Sequence, residues 1–259
     1  MAKKGLPPLK MASELAPIEF VTTGIPEIDD ALRPKKSKTP GGFPRGRVSE
    51  VYGMEGVGKT SMTLQAIAGM QKAGLKCLFI DVENALNVDR AEEFGVELKT
   101  LAVTNEAVLE KVIDIVLAYV TRFDVIVIDS LAALVPSAEF DEANLEDSGG
   151  AFMGLKARMM GQFMRKVIKP LADSKCALIF INQERMNLQP FGAKTFTPGG
   201  KAVPFATSLR IELRSAKSKD KIESTKGGVK HRSGQWVTAH IQKSKVGTPH
   251  VEARFKLLY

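Results

Sequence analysis

Residues 53 to 60, Gly53-Met-Glu-Gly-Val-Gly-Lys-Thr60, satisfy the pattern G-x-x-x-x-G-K-T at every fixed position. The spacing has a chemical reason. Gly53, Gly56 and Gly58 can take backbone angles closed to other residues, so successive N–H groups can turn inward around phosphate oxygens. Lys59 then reaches the β and γ phosphates, and the Thr60 hydroxyl ligates Mg²⁺. Arg47-Val-Ser-Glu-Val-Tyr52 before the loop reads as a strand, and residues 60–72 after it read as a helix whose N-terminus favours an anion. Strand, glycine loop and helix in that order make Gly53 to Ser61, with Glu55 and Val57 inside it, the candidate binding segment for a nucleoside triphosphate.

The 259 residues are 44% apolar, ample for the buried core of an α/β domain. No apolar run is long enough to cross a membrane. The start, Met-Ala-Lys-Lys-Gly-Leu-Pro-Pro-Leu-Lys, has the charges of a secretory signal but not its apolar stretch, which Pro7, Pro8, Lys10 and Glu14 interrupt. Cytoplasmic residence without a membrane partner is the expectation. Cys77 and Cys176 each open an apolar, strand-like run and read as small buried hydrophobes. His231, His240 and His250 lack metal-ligand spacing.

The formal charge of +8 is uneven, because residues 210–245 carry ten Lys and Arg against Glu212, Asp220 and Glu223. Such a stretch suits a polyanionic partner, and a solvated charged face is the other reading. A second basic stretch, Arg33 to Gly42, has the Pro, Gly and Ser content of a loop.

Past the phosphate loop, Lys76 to Asp81 is an apolar run ending in acids, and Leu98 to Val103 is a short strand candidate with a short helix before it. Asn105 is the expected N-cap of a helix whose Val108, Val112, Ile115 and Tyr119 recur at helical spacing. Val125-Ile-Val-Ile-Asp129 follows as a buried parallel strand. Phe152 to Leu171 reads as a long helix ending near Pro170, and Cys176 to Asn182 as another buried strand. Past residue 207 the helices stop, leaving strand-like runs at Ser208–Arg214, Trp236–Lys243 and Val251–Leu258. The expected fold is α/β: one mostly parallel sheet with helices on both faces and an antiparallel C-terminal extension.

Asp129 ends its strand at the Walker B position, where a second acid holds the hydration shell of the metal beside a phosphate loop. Asp81 and Glu83 close the neighbouring strand, at the carboxyl ends where open α/β sheets bind ligands. One of these two acids is expected to polarise an attacking water, and spacing alone does not choose between them.

Phe79-Ile-Asp-Val-Glu-Asn-Ala-Leu86, Val125-Ile-Val-Ile-Asp-Ser-Leu-Ala-Ala-Leu134, Met153-Gly-Leu-Lys-Ala-Arg-Met-Met-Gly-Gln162 and Ile179-Phe-Ile-Asn-Gln-Glu-Arg-Met186 resemble motifs of the bacterial RecA family, in that family's order, within a match from about Val21 to Tyr259. The resemblance implies a P-loop, RecA-like core. It implies that Glu83 activates water and that Gln183 senses the γ-phosphate and relays its presence to a DNA-binding loop. It implies that Lys243 and Lys245 reach across a filament interface to a neighbour's ATP, where cations would stabilise transition-state charge. Two segments match the family's DNA-binding loops, about 139–153 and about 184–200. Contacts to single-stranded DNA are then expected from Arg158 and Arg165 on the helix after the first loop, and from Arg185, Met186, Phe191, Lys194, Gly199 and Gly200 of the second. Phe191 could instead pack onto its own loop.

Where the family carries an aspartate and a tyrosine against adenine, this sequence has Asn87 and Arg90, and arginine can still stack on a purine. Against the family, a core-only, bacteriophage-like form is expected, with residues 1–20 as a shorter N-terminal arm and without the family's C-terminal domain. The arm, through Leu6, Leu9 and Met11, is the expected subunit contact, with residues 21–259 as the ATPase core. The implied activity is DNA-dependent hydrolysis of ATP with Mg²⁺, coupled to a helical filament on single-stranded DNA and exchange with a homologous duplex. A RecA-core protein that only coats or anneals single strands is the other reading, and a ring-forming motor is a third.

Overall fold

The computed structural model describes residue 9 and residues 11–141, 149–186, 195–215, 221–226 and 229–258. In chain order the elements are β1 (Phe20–Val21), α1 (Pro26–Ala31), β2 (Phe43–Pro44), β3 (Val48–Gly53), α2 (Lys59–Lys72), β4 (Cys77–Asp81), α3 (Val88–Glu93), β5 (Leu101–Thr104), α4 (Leu109–Tyr119), β6 (Val125–Asp129), α5 (Ser137–Asp141), α6 (Gly149–Ser174) and β7 (Ala177–Gln183). Then follow β8 (Arg185–Met186), β9 (Thr195–Phe196), α7 (Ala202–Ala206), β10 (Leu209–Ser215), β11 (Lys221–Lys226), β12 (Val229–Ser244) and β13 (Glu252–Leu258).

β10, β3, β7, β6, β4 and β5 lie side by side in that order, each pair parallel. Their side chains alternate between two covered faces. Phe79, Val127 and Ile179 pack in one core with Ile28 of α1, Met62 and Ile67 of α2 and Ala91 of α3. Ile80, Ile128 and Phe180 pack in a second core with Val112 and Val116 of α4, Phe163 and Val167 of α6 and Val203 of α7. The continuous apolar runs of the sequence follow from this double burial, and the α/β architecture is as expected.

The antiparallel extension begins where β12 pairs with β10. β11 continues along the same edge of β12, and β13 takes the other edge. Only one face of this extension is covered: Val237, Ala239, Phe255 and Leu257 join the first core, while Arg254 and Lys256 are exposed.

Several local expectations change. The helix expected to be capped by Asn105 starts three residues later, at Leu109. Asn105 instead donates to Asn84 Oδ1, and Glu106 receives the N–H groups of Ala107 and Val108 at 3.1 and 2.9 Å. The long helix runs on past Pro170 to Ser174, because burial of Leu171 against the second core favours one more turn beyond the proline. β11 escaped prediction because its residues, Lys-Ile-Glu-Ser-Thr-Lys, lack an apolar stripe and are held by backbone pairing to β12. Among the described residues no helix is long and apolar enough to cross a membrane.

The turn into α1 lies against α2. A Cβ on Gly24, at φ +75°, would come within 2.5 Å of the Gln65 backbone, whereas one on Gly74, at φ +76°, would meet nothing within 4 Å. Gly74→Ala is therefore expected to cost only the left-handed backbone strain, about 1 kcal/mol. Gly24→Ala should cost about 2 kcal/mol more, because helix backbone has to move. Urea-denaturation midpoints of the two variants check the difference.

Candidate nucleotide site

The parallel register brings the polar ends of four strands together. Asp81 of β4 stands opposite Asp129 of β6, and Gly53 of β3 opposite Gln183 of β7. Between β3 and α2 the glycine loop turns with Gly56 at φ +70° and Gly58 at φ +99°. A cavity of about 290 Å³ opens there, lined by Glu55, Gly56, Gly58, Lys59, Thr60 and Ser61 from loop and helix and by Glu83, Asp129, Ser130 and Gln183 from the strand ends.

Gly53 has a second reason to be glycine: a Cβ would lie 2.3 Å from the Leu213 carbonyl of β10. Val57 offers the site only its backbone, since its side chain is buried in the first core. Lys59 is nearly buried, and its Nζ donates to the carbonyls of Gly53 and Met54 at 3.1 and 2.9 Å. Burial pulls its ammonium below the usual lysine range, while Asp129, Glu83 and Glu55 oppose that shift.

Thr60 Oγ1 donates to Asp129 Oδ2 at 2.7 Å. Two hard oxygen donors so placed suit Mg²⁺, which takes one or two protein oxygens and completes its octahedron with phosphate and water. Burial pushes the Asp129 carboxyl up to about 6; Glu83 and Asp81 add to the rise, and the Thr60 hydroxyl and Lys59 oppose it.

Asp81 and Glu83 have separate surroundings. The Asp81 carboxylate is buried and turned into its own chain, accepting the N–H groups of Ala85 and Leu86 at 3.1 and 2.9 Å. Glu83 is exposed to the cavity. Its Oε1 receives the Ser130 hydroxyl and, at 3.2 Å, the Gln183 side-chain amide. The water-facing acid of the pair is therefore Glu83.

Known proteins resemble this chain along nearly all of its length. The RecA N-terminal domain family model matches residues 8–259. RecA of Leifsonia xyli subsp. xyli is 39% identical over 251 residues, covering 96% of this chain and 66% of that protein. RecA of Streptomyces ambofaciens is 40% identical over 94% of this chain and 62% of its own length, and RecA of Bordetella avium 40% over 93% and 65%. The chain belongs to the RecA family. It spans somewhat under two thirds of the length of these relatives.

Around the cavity of this RecA-family chain, two residues escaped sequence reading. Ser130 follows the strand-end acid and holds Glu83. Gln235 of β12, buried, donates to the Val57 carbonyl at 3.1 Å from 178 positions along the chain, a distance no local pattern bridges. Asn87 and Arg90 are not among the residues lining the cavity. Asn87 caps α3 by accepting the Arg90 N–H at 2.9 Å. The Arg90 guanidinium pairs with Glu93 at 2.6 Å and lies 4.4 Å from the centre of the Phe94 ring. Its Nη2 also donates to the Leu258 carbonyl at 3.4 Å, next to Leu257, against whose side chain a Gly58 Cβ would press. Arg90 is thus tied to β13, while Asn87 serves as the cap of α3.

The residues expected to meet DNA fall into two groups. Arg158 and Arg165 are exposed on α6. Arg185 is exposed on β8, which pairs with β9 to form the stem of the second loop. Gly199 and Gly200, at φ +103° and +71°, return that loop onto α6, where a Cβ on Gly200 would lie 2.7 Å from Ala157 Cβ. Phe191 and Lys194 lie outside the described residues, as do residues 142–148 of the first loop, and Met186 is described by its backbone alone. Lys156, which sequence reading did not single out, donates to the Ala132 carbonyl at 3.0 Å; burial, with Arg185 adding to it, lowers its pKa to about 8.

Lys243 and Lys245 do not line the cavity of their own chain. Their ammonium groups meet the C-terminal end of α7: Lys243 Nζ donates to the carbonyls of Pro204 and Phe205 at 2.5 and 3.1 Å, and Lys245 Nζ to Phe205 at 3.4 Å.

The Asp129 carboxyl titrates higher in the folded than in the unfolded chain, so its ionisation costs stability above the folded value and costs nothing below the unfolded one. A rise from 3.8 to about 6 corresponds to at most about 3 kcal/mol. Asp129→Asn, free of nucleotide and Mg²⁺, should gain stability relative to the parent chain as pH rises from 4 to 7.5. Denaturant midpoints at the two pH values check it, and an equal difference at both would refute the raised value.

Proposed function

We propose that the chain is an ATP-driven recombinase that assembles on single-stranded DNA and exchanges strands with a homologous duplex. The observation that carries the reading is one cavity in which Lys59, Thr60, Glu83, Asp129 and Gln183 meet, with Gln183 two residues before the exposed Arg185 at the mouth of the second loop. The glycine loop and the N-terminus of α2 receive the phosphates, and Lys59 leaves its two carbonyl partners for the phosphate oxygens. Thr60 and Asp129 hold Mg²⁺, which supplies charge neutralisation on the phosphates when bound. Glu83 accepts the proton of the attacking water, and its contact with Gln183 makes the position of that glutamine sensitive to what occupies the cavity.

Lys243 and Lys245 complete the site of a neighbouring copy rather than their own. Cations supplied across an interface make hydrolysis depend on assembly, and their loss costs on the order of 10³-fold in rate. Assembly itself is supported by two apolar surfaces. Leu9, Met11, Leu15 and Ile18 of the N-terminal arm are exposed. At the far edge of the sheet, β5 has a side unpaired among the described residues, next to an apolar groove of about 310 Å³ lined by Leu78, Ala102, Val103, Ile115, Tyr119 and Phe123. The arm of a second copy laid along this edge buries both surfaces. Single-stranded DNA lies against Arg158, Arg165, Arg185, Gly199 and Gly200, with the remaining loop residues Met186, Phe191 and Lys194 supplying apolar and cationic contacts.

ATP hydrolysis with and without single-stranded DNA, with assembly followed by light scattering, tests the reading. Glu83→Gln should lower DNA-stimulated hydrolysis by about 10² to 10⁴-fold and keep ATP-dependent assembly. Mixing Glu83→Gln with the Lys243→Ala/Lys245→Ala chain should restore hydrolysis above either alone, because the second provides an intact Glu83 facing the lysines of the first. Failure of the mixture to exceed its parts excludes the lysine pair from the neighbour's site. Hydrolysis indifferent to DNA, with strands still annealed, favours a coating or annealing role.

Val103→Lys places a charge in the groove beside β5. It should abolish assembly while nucleotide binding stays unchanged, as read by scattering and by fluorescent-nucleotide titration.

A further inference from the structure

A fully buried carboxylate of the sheet, Glu50, lies outside the nucleotide cavity. Glu50, in β3, holds two partners at once: its Oε1 accepts the Asn182 side-chain amide at 2.9 Å and its Oε2 accepts Arg210 Nε at 2.6 Å. Each partner reaches on to the same stretch of chain. Asn182 Nδ2 also donates to the Pro198 carbonyl at 2.8 Å, and Arg210 Nη2 donates to Thr197 Oγ1 at 3.3 Å. The guanidinium is further held over the Tyr52 ring, 4.5 Å from its centre. Thr197 and Pro198 are where the second loop returns from β9 toward α7.

The other end of this network is the nucleotide cavity. Asn182 directly precedes Gln183 and accepts its backbone N–H at 3.0 Å, and the Gln183 side chain contacts Glu83 at 3.2 Å. A buried ion pair adds little stability over apolar groups of the same volume, whereas removing one partner is costly, so its contribution is geometric. Here the geometry is that of one carboxylate gripping two strands, β7 and β10, each of which grips the loop.

We propose that Glu50 and Arg210 are positioning residues that lock segment 195–200 in register with Gln183, so that occupancy of the nucleotide cavity is transmitted to the second loop through this pair. The inference rests on reading the cavity as an ATP site. By linkage the transmission runs both ways, so DNA on the loop alters events at the nucleotide by the same route.

The test compares the parent chain with Arg210→Lys, Thr197→Val and Thr197→Ser. A lysine keeps the charge opposite Glu50 but cannot span Glu50 and Thr197 together. Valine removes the hydroxyl from a half-buried position at nearly constant shape, and serine keeps it. Hydrogen exchange over residues 195–200 is measured with and without Mg²⁺ and a slowly hydrolysed ATP analogue, alongside nucleotide affinity and hydrolysis with and without single-stranded DNA.

In the parent chain the analogue should slow exchange over 195–200. Arg210→Lys and Thr197→Val should bind the analogue within about twofold of the parent, yet lose that protection and about tenfold of any DNA stimulation, while Thr197→Ser behaves as the parent. Unchanged protection in Arg210→Lys and Thr197→Val overturns the proposal, as does a parent chain that binds the analogue without protecting 195–200. Protection that depends on the pair in a chain whose hydrolysis ignores DNA leaves the clamp standing and removes the recombinase reading.

Discussion

Parallel pairing in fixed register, with both faces of the strands covered, is the constraint on which the rest of this molecule depends. β4, β6 and β7 are apolar along most of their length because helices sheath them on both sides. A slip of one residue would turn every inward side chain to the opposite face, so the two cores together determine the pairing. With Asp81 opposite Asp129 and Gly53 opposite Gln183, the strand ends line up in one row. The nucleotide cavity is that row, closed by the glycine loop.

The antiparallel extension braces the cavity without supplying its chemistry. Gln235 holds the Val57 carbonyl, Leu257 packs against Gly58, and the Leu213 carbonyl leaves no room for a Cβ at Gly53. The glycine loop is therefore held from behind by residues 160 to 199 positions further along the chain. Electrostatics within the cavity runs against folding. Asp129 is buried near Glu83 and Asp81, with Lys59 the cation opposing them, and the cost appears as a raised carboxyl pKa. Acids gathered beside one lysine at a cavity compensate one another poorly, which is the usual tension between a polar site and the stability of its fold.

Local chemistry made much of this legible. The glycine loop, the apolar strands and the acid closing β6 are short-range patterns, each with a reason contained in a few neighbouring residues. Where reading failed, competing contacts had decided. Asn105 has the chemistry of a helix cap, but Asn84 lies within reach of its side chain and Glu106 takes the backbone N–H groups instead. Pro170 has the chemistry of a helix end, yet the next residue, Leu171, is buried in the second core and the helix goes on. β11 has no apolar alternation to read, since backbone pairing with β12 holds it.

By itself, then, the sequence determined the fold class, the phosphate loop and the family, because these rest on spacing within short segments and on the order of motifs along the chain. The family resemblance points to Glu83 rather than Asp81, and the physical difference between them comes from the tertiary structure, which turns Asp81 onto the N–H groups of Ala85 and Leu86 and leaves Glu83 open to the cavity. The tertiary structure alone revealed Gln235 behind the loop and Glu50 between Asn182 and Arg210. The physical reason is the same in each case. Hydrogen bonds and burial act over a few ångströms in space, and a sequence records those distances only where the chain is also short between the partners.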